Sequence, residues 1–371
     1  MAAQRILHVV GKFSSGGVES MISSYLSAID REQYIFDIAY EKSDDSRLPK
    51  FLSDMGVKGW PMPPVTQPLA YLREMRRVIR QGGYKIVHSD YNSFSFMPLL
   101  AAKLVGVKVR ICHNHTTSSP AERLRHFVKC ALRLPCRLAA NRWCACSEAA
   151  ARFMYGDIAF DSGRVTVFRN GIDVSKFAYK PAGRISVRRE FEIENKTVLG
   201  HVGRFVTTKN HRFLIDLFAE YSAVKHDSVL FLVGEGELEP DIKNYVTEKK
   251  LDSKVIFAEL RNDMPEVYSA FDYFLLPSLY EGMPVVLPEA VTSGLPCLIA
   301  DTVTRECSDI GRIQYLPIND PSIWADALQK IDMSDECYRK DSERSMRGGP
   351  YDINECAEEL ERYYRECLEN V

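Results

Sequence analysis

With 371 residues, 46% of them apolar and 26% charged, the chain has an ordinary globular balance and enough apolar side chain for two cores of roughly 150–200 residues each. No apolar run approaches the roughly 20 residues that span a bilayer. The ten cysteines are scattered without zinc-site spacing, the nearest pairs being Cys144 with Cys146 and Cys130 with Cys136, so reduced, mostly buried thiols are expected rather than a disulfide framework.

The net charge of −2 conceals an asymmetry, because residues 1–180 hold 26 Lys and Arg against 15 Asp and Glu, a net of +11, and the remainder carries −13. Such halves either meet different partners or attract each other. Nothing in the pattern points to nucleic acid.

In chain order, Ile6–Val10 reads as a buried strand. It is too short for the core of a signal peptide, and no cleavage site follows, so a cytoplasmic protein is expected, with peripheral attachment at the inner membrane face left open. Further strands are expected at Ile35–Ala39, Lys85–His88 and Lys108–Cys112, with helices at Val18–Ala28, Leu69–Arg80, Met97–Val105 and Ala121–Leu138. That alternation predicts a parallel sheet covered on both faces.

After Asn170-Gly171-Ile172-Asp173 the pattern restarts. Strands are expected at Val198–Val202, Val229–Val233, Lys254–Phe257, Tyr273–Leu276 and Cys297–Ala300, and helices at Asn210–Val224, Asp241–Lys249, Met264–Ala270 and Glu289–Thr292. A linker is expected near Asp173–Gly183. The tail 353–370 is amphipathic, with Cys356, Leu360, Tyr363, Tyr364 and Cys367 near one stripe. The fold class is α/β, two Rossmann-like halves with ligands at the carboxyl ends of their strands.

Four constellations can carry chemistry. Gly16-Gly17-Val18-Glu19, between the first strand and helix, lacks the lysine of a phosphate-binding Walker loop and the spacing of a dinucleotide fingerprint, but its glycines let main-chain N–H groups approach an anion or sugar. His113-Asn114-His115 ends one strand and His88-Ser89-Asp90 ends the preceding one. A His-x-His pair can bind metal, yet alternate strand residues face opposite sides and no carboxylate neighbour is apparent, so a ligand-lining or a structural histidine is expected and no metal. Arg204 and Lys209 flank a strand-to-helix turn, where they can hold a diphosphate from two sides. Finally, Glu281 and Glu289 bracket a Gly/Pro turn in which N–H groups near Gly282 and Met283 suit phosphate and the carboxylates suit sugar or ribose hydroxyls.

These residues together resemble the retaining glycosyltransferases of family 4, which have the GT-B fold of two facing Rossmann-like domains. Glu281 to Glu289 matches the family's E-x7-E signature, Val202-Gly203-Arg204 with Lys209-Asn210 its diphosphate clamp, Asn170-Gly171-Ile172-Asp173 its interdomain element, and Gly234-Glu235-Gly236 its nucleotide-side loop. The first half is most similar to enzymes of capsular and exopolysaccharide assembly.

The resemblance implies an N-terminal acceptor domain (1–176), a C-terminal nucleotide-sugar domain (177–350) and a final helix (351–371) packed back on the first domain. It implies that Arg204 and Lys209 neutralise the donor diphosphate, Glu281 holds the sugar, Glu289 the ribose, and the main chain of Arg261 the base, beside Gly234. His115 would sit by the anomeric carbon, with His113 the other candidate for that place, and Gly17 would admit phosphate and acceptor. Gly16, His88, Asp90, His113 and Asn92 fall on the acceptor side.

The implied reaction needs no cofactor and no metal, and moves a sugar, with uridine diphosphate the favoured carrier, to a lipid-linked or glycan hydroxyl with retention. A soluble acceptor, or a sugar-nucleotide-binding protein without catalysis, is the alternative. Three departures from the family stand out: Pro288 beside Glu289, which implies a late helix start, Asp90 where relatives carry a histidine, and Arg169 in place of proline. The segment Ala121–Arg142 interleaves Arg123, Arg125, Lys129, Arg133, Arg137 and Arg142 with Leu124, Phe127, Val128, Leu132, Leu134 and Leu138, a pattern suited to an anionic membrane surface or to a solvated core helix.

Overall fold

The computed structural model describes residues 3–11, 17–43, 48–117, 123–331 and 336–370, side chains excepted at 17, 123–126, 336 and 337. The chain divides into two compact units, Met1–Gly171 with Ile353–Val371, and Ile172–Asp352. The first division therefore falls at Gly171/Ile172, a few residues before the expected one.

The first unit is built on seven strands: β1 Gln4–Val9, β2 Tyr34–Glu41, β3 Lys58–Met62, β4 Ile86–Ser89, β5 Val109–Asn114, β6 Arg142–Ala145 and β7 Val165–Val167. They run parallel in the order β3-β2-β1-β4-β5-β6-β7. Strands covered on both faces read as continuous apolar runs, and the last four residues of β1 and all of β4 are buried. The order reverses between β1 and β4, which opens a crevice at their carboxyl ends. There the register pairs His8 with His88, and His88 with Ile111.

The helix Ile353–Glu369 closes this unit. Ile353, Cys356, Ala357, Leu360, Tyr364 and Cys367 lie in the same core as Ile6, Tyr25 and Phe36. Polar ties fix its depth, since Glu361 Oε1 accepts from the Asp30 N–H at 2.6 Å and the Tyr34 hydroxyl donates to the Glu361 carbonyl at 3.0 Å.

The second unit has six parallel strands, β8 Thr197–Val202, β9 Ser228–Val233, β10 Val255–Phe257, β11 Tyr273–Leu276, β12 Cys297–Ala300 and β13 Ile313–Leu316, in the order β10-β9-β8-β11-β12-β13. Here the reversal lies between β8 and β11. The stretch read as a linker is helical instead. Asp173 caps a short helix Val174–Phe177 by accepting the Lys176 N–H at 3.0 Å, and a second helix spans Pro181–Glu190. From that helix Arg184 and Arg188 each reach an oxygen of Asp272 at 2.6 Å, and Asp272 also accepts the Val198 N–H at 2.8 Å. This anchors the entry of β8.

Strands β3, β6, β7 and β13 were not expected. β3 contains Gly59 and Pro61 and forms a sheet edge, where proline is tolerated because one N–H row faces away from the ladder. The basic segment carries the expected helix, described over Arg123–Ala139 and continuing through Pro135, while Arg142 lies in β6.

Candidate active site

In the first unit the ends of β1, β4 and β5 gather four histidines around one carboxylate. Asp90 is 2% exposed. His8 Nδ1 lies 2.8 Å from its Oδ2, and His115 Nε2 lies 2.9 Å from its Oδ1. His113 Nδ1 stands 3.4 Å and His88 Nε2 3.6 Å from that same Oδ1. His88 Nε2 is 3.0 Å from His113 Nδ1, and the Tyr364 hydroxyl bridges His88 Nδ1 at 2.8 Å and His8 Nε2 at 3.2 Å.

Two expectations are corrected here. A carboxylate neighbour does exist, because Asp90 is carried to the histidines by the β4–β5 pairing. His113 and His115 are also not on opposite sides. β5 ends at Asn114, the strand alternation ends with it, and the two rings approach to 4.0 Å between centroids. Asn92, in a left-handed conformation at φ 52°, accepts the His115 N–H on its Oδ1 at 2.7 Å and so sets where the chain turns.

Electrostatically the cluster sets one carboxylate beside two imidazoles, His88 and His113, that burial keeps from charging. Burial pushes His113 down to about 4, with His115 adding to the effect. Burial likewise holds His88 well below the ordinary histidine range, against the pull of Asp90. Burial alone would raise Asp90, but His88 and the hydrogen bonds from His113, His115 and His8 hold it well below the carboxylate range. Accepting the Nε2–H of His115 fixes that ring's tautomer and leaves Nδ1 with a lone pair able to take a proton. Of the Gly-Gly loop, Gly17 begins the helix Gly17–Ala28; Gly16 lies outside the described residues.

In the second unit the loops after β8, β9 and β11 are stitched together. Gly234 sits at φ +140°, and a Cβ there would lie 2.3 Å from the Gly203 carbonyl oxygen, so the two loops meet backbone to backbone. Phe205 N–H donates to the Glu235 carbonyl at 2.9 Å. Leu279 N–H donates to the Thr208 carbonyl at 2.8 Å, and Asn210 Nδ2 donates to the Pro277 carbonyl at 3.3 Å. These bonds bring Lys209 Nζ to 2.6 Å from Glu281 Oε1. Arg204 stands exposed on the same loop.

Gly282 and Met283 occupy the turn after Glu281. The Met283 side chain is buried against Cys307 and Tyr351, so it is the main chain that this turn can offer to a ligand. Arg261 is likewise committed through its side chain, which bonds Asp263 and Glu190. Sequence reasoning missed His201 and His211, which pack beside Lys209. Burial pushes them down to about 3 and about 2. His201 lies within an ordinary buried strand and His211 opens a helix, so only the folded structure brings them together.

Glu289 lies in the helix Val286–Thr292, with Pro288 in its first turn. The helix thus starts where proline is tolerated. Glu289 Oε2 accepts the Tyr268 hydroxyl at 2.7 Å, and burial raises the carboxyl from 4.5 to about 7. A raised carboxyl pKa means that ionisation costs the folded state stability, a penalty absent below the unfolded value and complete once pH exceeds the folded one. Glu289→Gln keeps an acceptor for Tyr268 and cannot ionise. Its melting temperature should therefore exceed that of the unaltered protein at about pH 8 and match it at about pH 4. A shift of equal size at both values would contradict a buried, reluctantly ionised Glu289.

Comparison with known proteins supplies the context for these two groups of residues. The model for "Glycosyltransferase Family 4" matches residues 15–176, and that for "Glycosyl transferases group 1" matches residues 196–332. EpsF of Bacillus subtilis (strain 168) is 33% identical over 340 residues, covering 88% of this chain and 87% of its own. An Escherichia coli UDP-Gal:alpha-D-GlcNAc-diphosphoundecaprenol alpha-1,3-galactosyltransferase is 27% identical over 353 residues, with 88% and 87% covered. Among solved structures, Anabaena HepE in complex with UDP-glucose superposes with a TM-score of 0.81 at 17% identity, covering 98% of this chain and 99% of that one. With two parallel Rossmann-like sheets of the GT-B type and a relative of this identity along most of its length, the chain belongs to the family 4 glycosyltransferases.

Proposed function

We propose that the chain transfers a sugar from a UDP-sugar to a hydroxyl of a lipid-linked glycan in the assembly of a cell-surface polysaccharide, with retention and without metal. The observation that carries this reading is the Lys209–Glu281 pair at 2.6 Å, with Arg204 exposed on the same stitched loop at the β8/β11 reversal. Breaking a glycosyl–phosphate bond puts negative charge on the departing diphosphate and positive charge on the sugar. Fixed cations aimed at the former stabilise the transition state without reorganisation.

In this reading Lys209 and Arg204 meet the diphosphate, Glu281 turns from Lys209 toward sugar hydroxyls, and Glu289 and the main chain at Gly234 and Arg261 take the nucleoside. His115, oriented by Asp90, serves the reacting centre, and the donor phosphate assists loss of the acceptor proton on the same face. A uridine diphosphate carrier is supported by the E. coli relative, named for UDP-Gal, and by the HepE complex with UDP-glucose. A polyprenyl-diphosphate acceptor is supported by that same relative's name.

Each charge-assisted contact to the diphosphate is worth roughly 1.5–3 kcal/mol. Arg204→Ala and Lys209→Ala should each weaken UDP binding by about tenfold or more in calorimetry. Unchanged affinity in both variants would remove them from the donor site.

A lipid-linked acceptor requires the protein to work at a membrane, and no helix among the described residues is long and apolar enough to cross one. The helix Arg123–Ala139 presents Phe127, Leu134 and Leu138, which are 70%, 61% and 65% exposed. The spacing puts all three on one helical stripe. Arg137 flanks this stripe, while Lys129 Nζ reaches the Thr117 carbonyl at 3.4 Å and Arg133 Nε the Met154 carbonyl at 3.3 Å away from it. An anionic leaflet would thus be met chiefly by the apolar stripe with Arg137 at its edge, at about 1 kcal/mol per cation near the surface. Arg123, Leu124 and Arg125 have side chains outside the described residues. The protein should sediment with phosphatidylglycerol vesicles, less so as salt rises, and Phe127→Ser with Leu134→Ser and Leu138→Ser should abolish it. A chain that stays in the supernatant at low salt would favour a water-soluble acceptor.

A further inference from the structure

The cluster around Asp90 contains more than the orientation of one catalytic histidine requires. We propose that His88, Asp90 and His113 form a binding site for a zinc-type divalent transition ion, one per chain, at the carboxyl ends of β4 and β5.

The geometry comes first. His88 Nε2, Asp90 Oδ1 and His113 Nδ1 are separated by 3.0, 3.4 and 3.6 Å. Zinc bonds of about 2.0–2.2 Å in a tetrahedral set put ligand atoms roughly 3.3–3.5 Å from one another. The His113–Asp90 separation falls in that range, the His88–Asp90 one just above it and the His88–His113 one about 0.3 Å short of it, and each donor atom belongs to a residue no more than 3% exposed.

The proton arrangement points the same way. Asp90 Oδ2 takes the Nδ1–H of His8, so His8 Nε2 is an acceptor and receives the Tyr364 hydroxyl proton. The Tyr364 oxygen then accepts the Nδ1–H of His88. This assignment leaves a bare lone pair on His88 Nε2, aimed at His113 and Asp90. Metal-bound imidazoles are held through their other nitrogen, and bound carboxylates through their other oxygen. Tyr364 and His8 occupy those two positions.

His113 completes the set. Its Nε2 is buried and has no hydrogen-bond partner, so nothing beyond the cluster opposes moving its proton from Nδ1 to Nε2 when Nδ1 takes an ion. His88, Asp90 and His113 also line, with His8, a small cavity of about 10 Å³, the lower limit for one water. It leaves room for the slight outward movement of the rings that coordination entails. Two imidazoles and one carboxylate with a fourth position open is a donor set that zinc accepts. His115, on the same Asp90 oxygen, would lie outside the coordination sphere.

This site is separate from the donor clamp, and although it shares Asp90 with His115 its test reads metal binding alone, so its failure would leave the proposed transfer reaction standing. The test is a cobalt(II) titration of the metal-stripped, full-length protein. One equivalent should produce visible d–d absorption typical of nitrogen and oxygen ligation, and one equivalent of zinc should bleach it. His88→Gln and Asp90→Asn should lose the absorption while keeping their circular dichroism. Should either variant misfold, X-ray absorption of the zinc-loaded unaltered protein gives the second readout: imidazole and oxygen ligands support the site. Sulfur ligation, less than one equivalent bound, or an unchanged cobalt band in folded variants would overturn it.

Discussion

A parallel sheet whose strand order reverses leaves a gap between two helix layers at one edge, and only the carboxyl ends of the strands on either side can fill it. The protein meets this constraint twice. At β1/β4 it places His8, His88 and Asp90, and at β8/β11 it places Gly203, Arg204 and Glu281. The polar groups assigned to chemistry cluster at these two points, whereas the other strand residues are mostly apolar, Asp37 of β2 being a buried exception paired with Arg5 at 2.8 Å. The sheets therefore do two things at once: they supply the cores, and they hold the reactive side chains on strand ends rather than on loops alone.

The two groups solve opposite electrostatic problems. In the second unit, positive charge is kept accessible. Lys209 is held by Glu281 at 2.6 Å and Arg204 is left exposed, so that in the proposed reaction an arriving diphosphate would meet cations already in place. In the first unit a buried anion, Asp90, is made tolerable by four imidazoles and, beyond them, by Tyr364 from the helix Ile353–Glu369. The last helix is thus part of the chemistry of the first unit as well as part of its core. Truncating it would strand the His8–His88 pair without the hydroxyl that joins them.

Much of this was legible in the sequence because it is local. Glycines and charges next to an apolar run mark a strand end wherever that strand lies, so Arg204, Lys209, Glu281 and the histidine pairs could be recognised from their neighbours. What could not be recognised depends on register. Asp90 belongs to a cluster only because β4 lies between β1 and β5, and no spacing along the chain shows that His8 stacks on His88 at 4.7 Å. The Tyr268–Glu289 bond and the buried His201 and His211 were hidden for the same reason. Short or proline-bearing edge strands such as β3 and β7 carry too little pattern to be seen, and the helices after Asp173 resemble a linker in sequence because their amphipathic stripe is short.

In the proposed reaction protein cations alone meet the charge on the departing diphosphate, and turnover in the presence of chelator tests this most directly. Transfer of labelled sugar from a panel of UDP-sugars to a polyprenyl-diphosphate-linked acceptor would be followed with and without excess EDTA. The rate should be the same in both, within about twofold, because Arg204 and Lys209 do what a divalent ion does in metal-assisted transfer. Loss of transfer in chelator, restored by magnesium or manganese, would contradict the account.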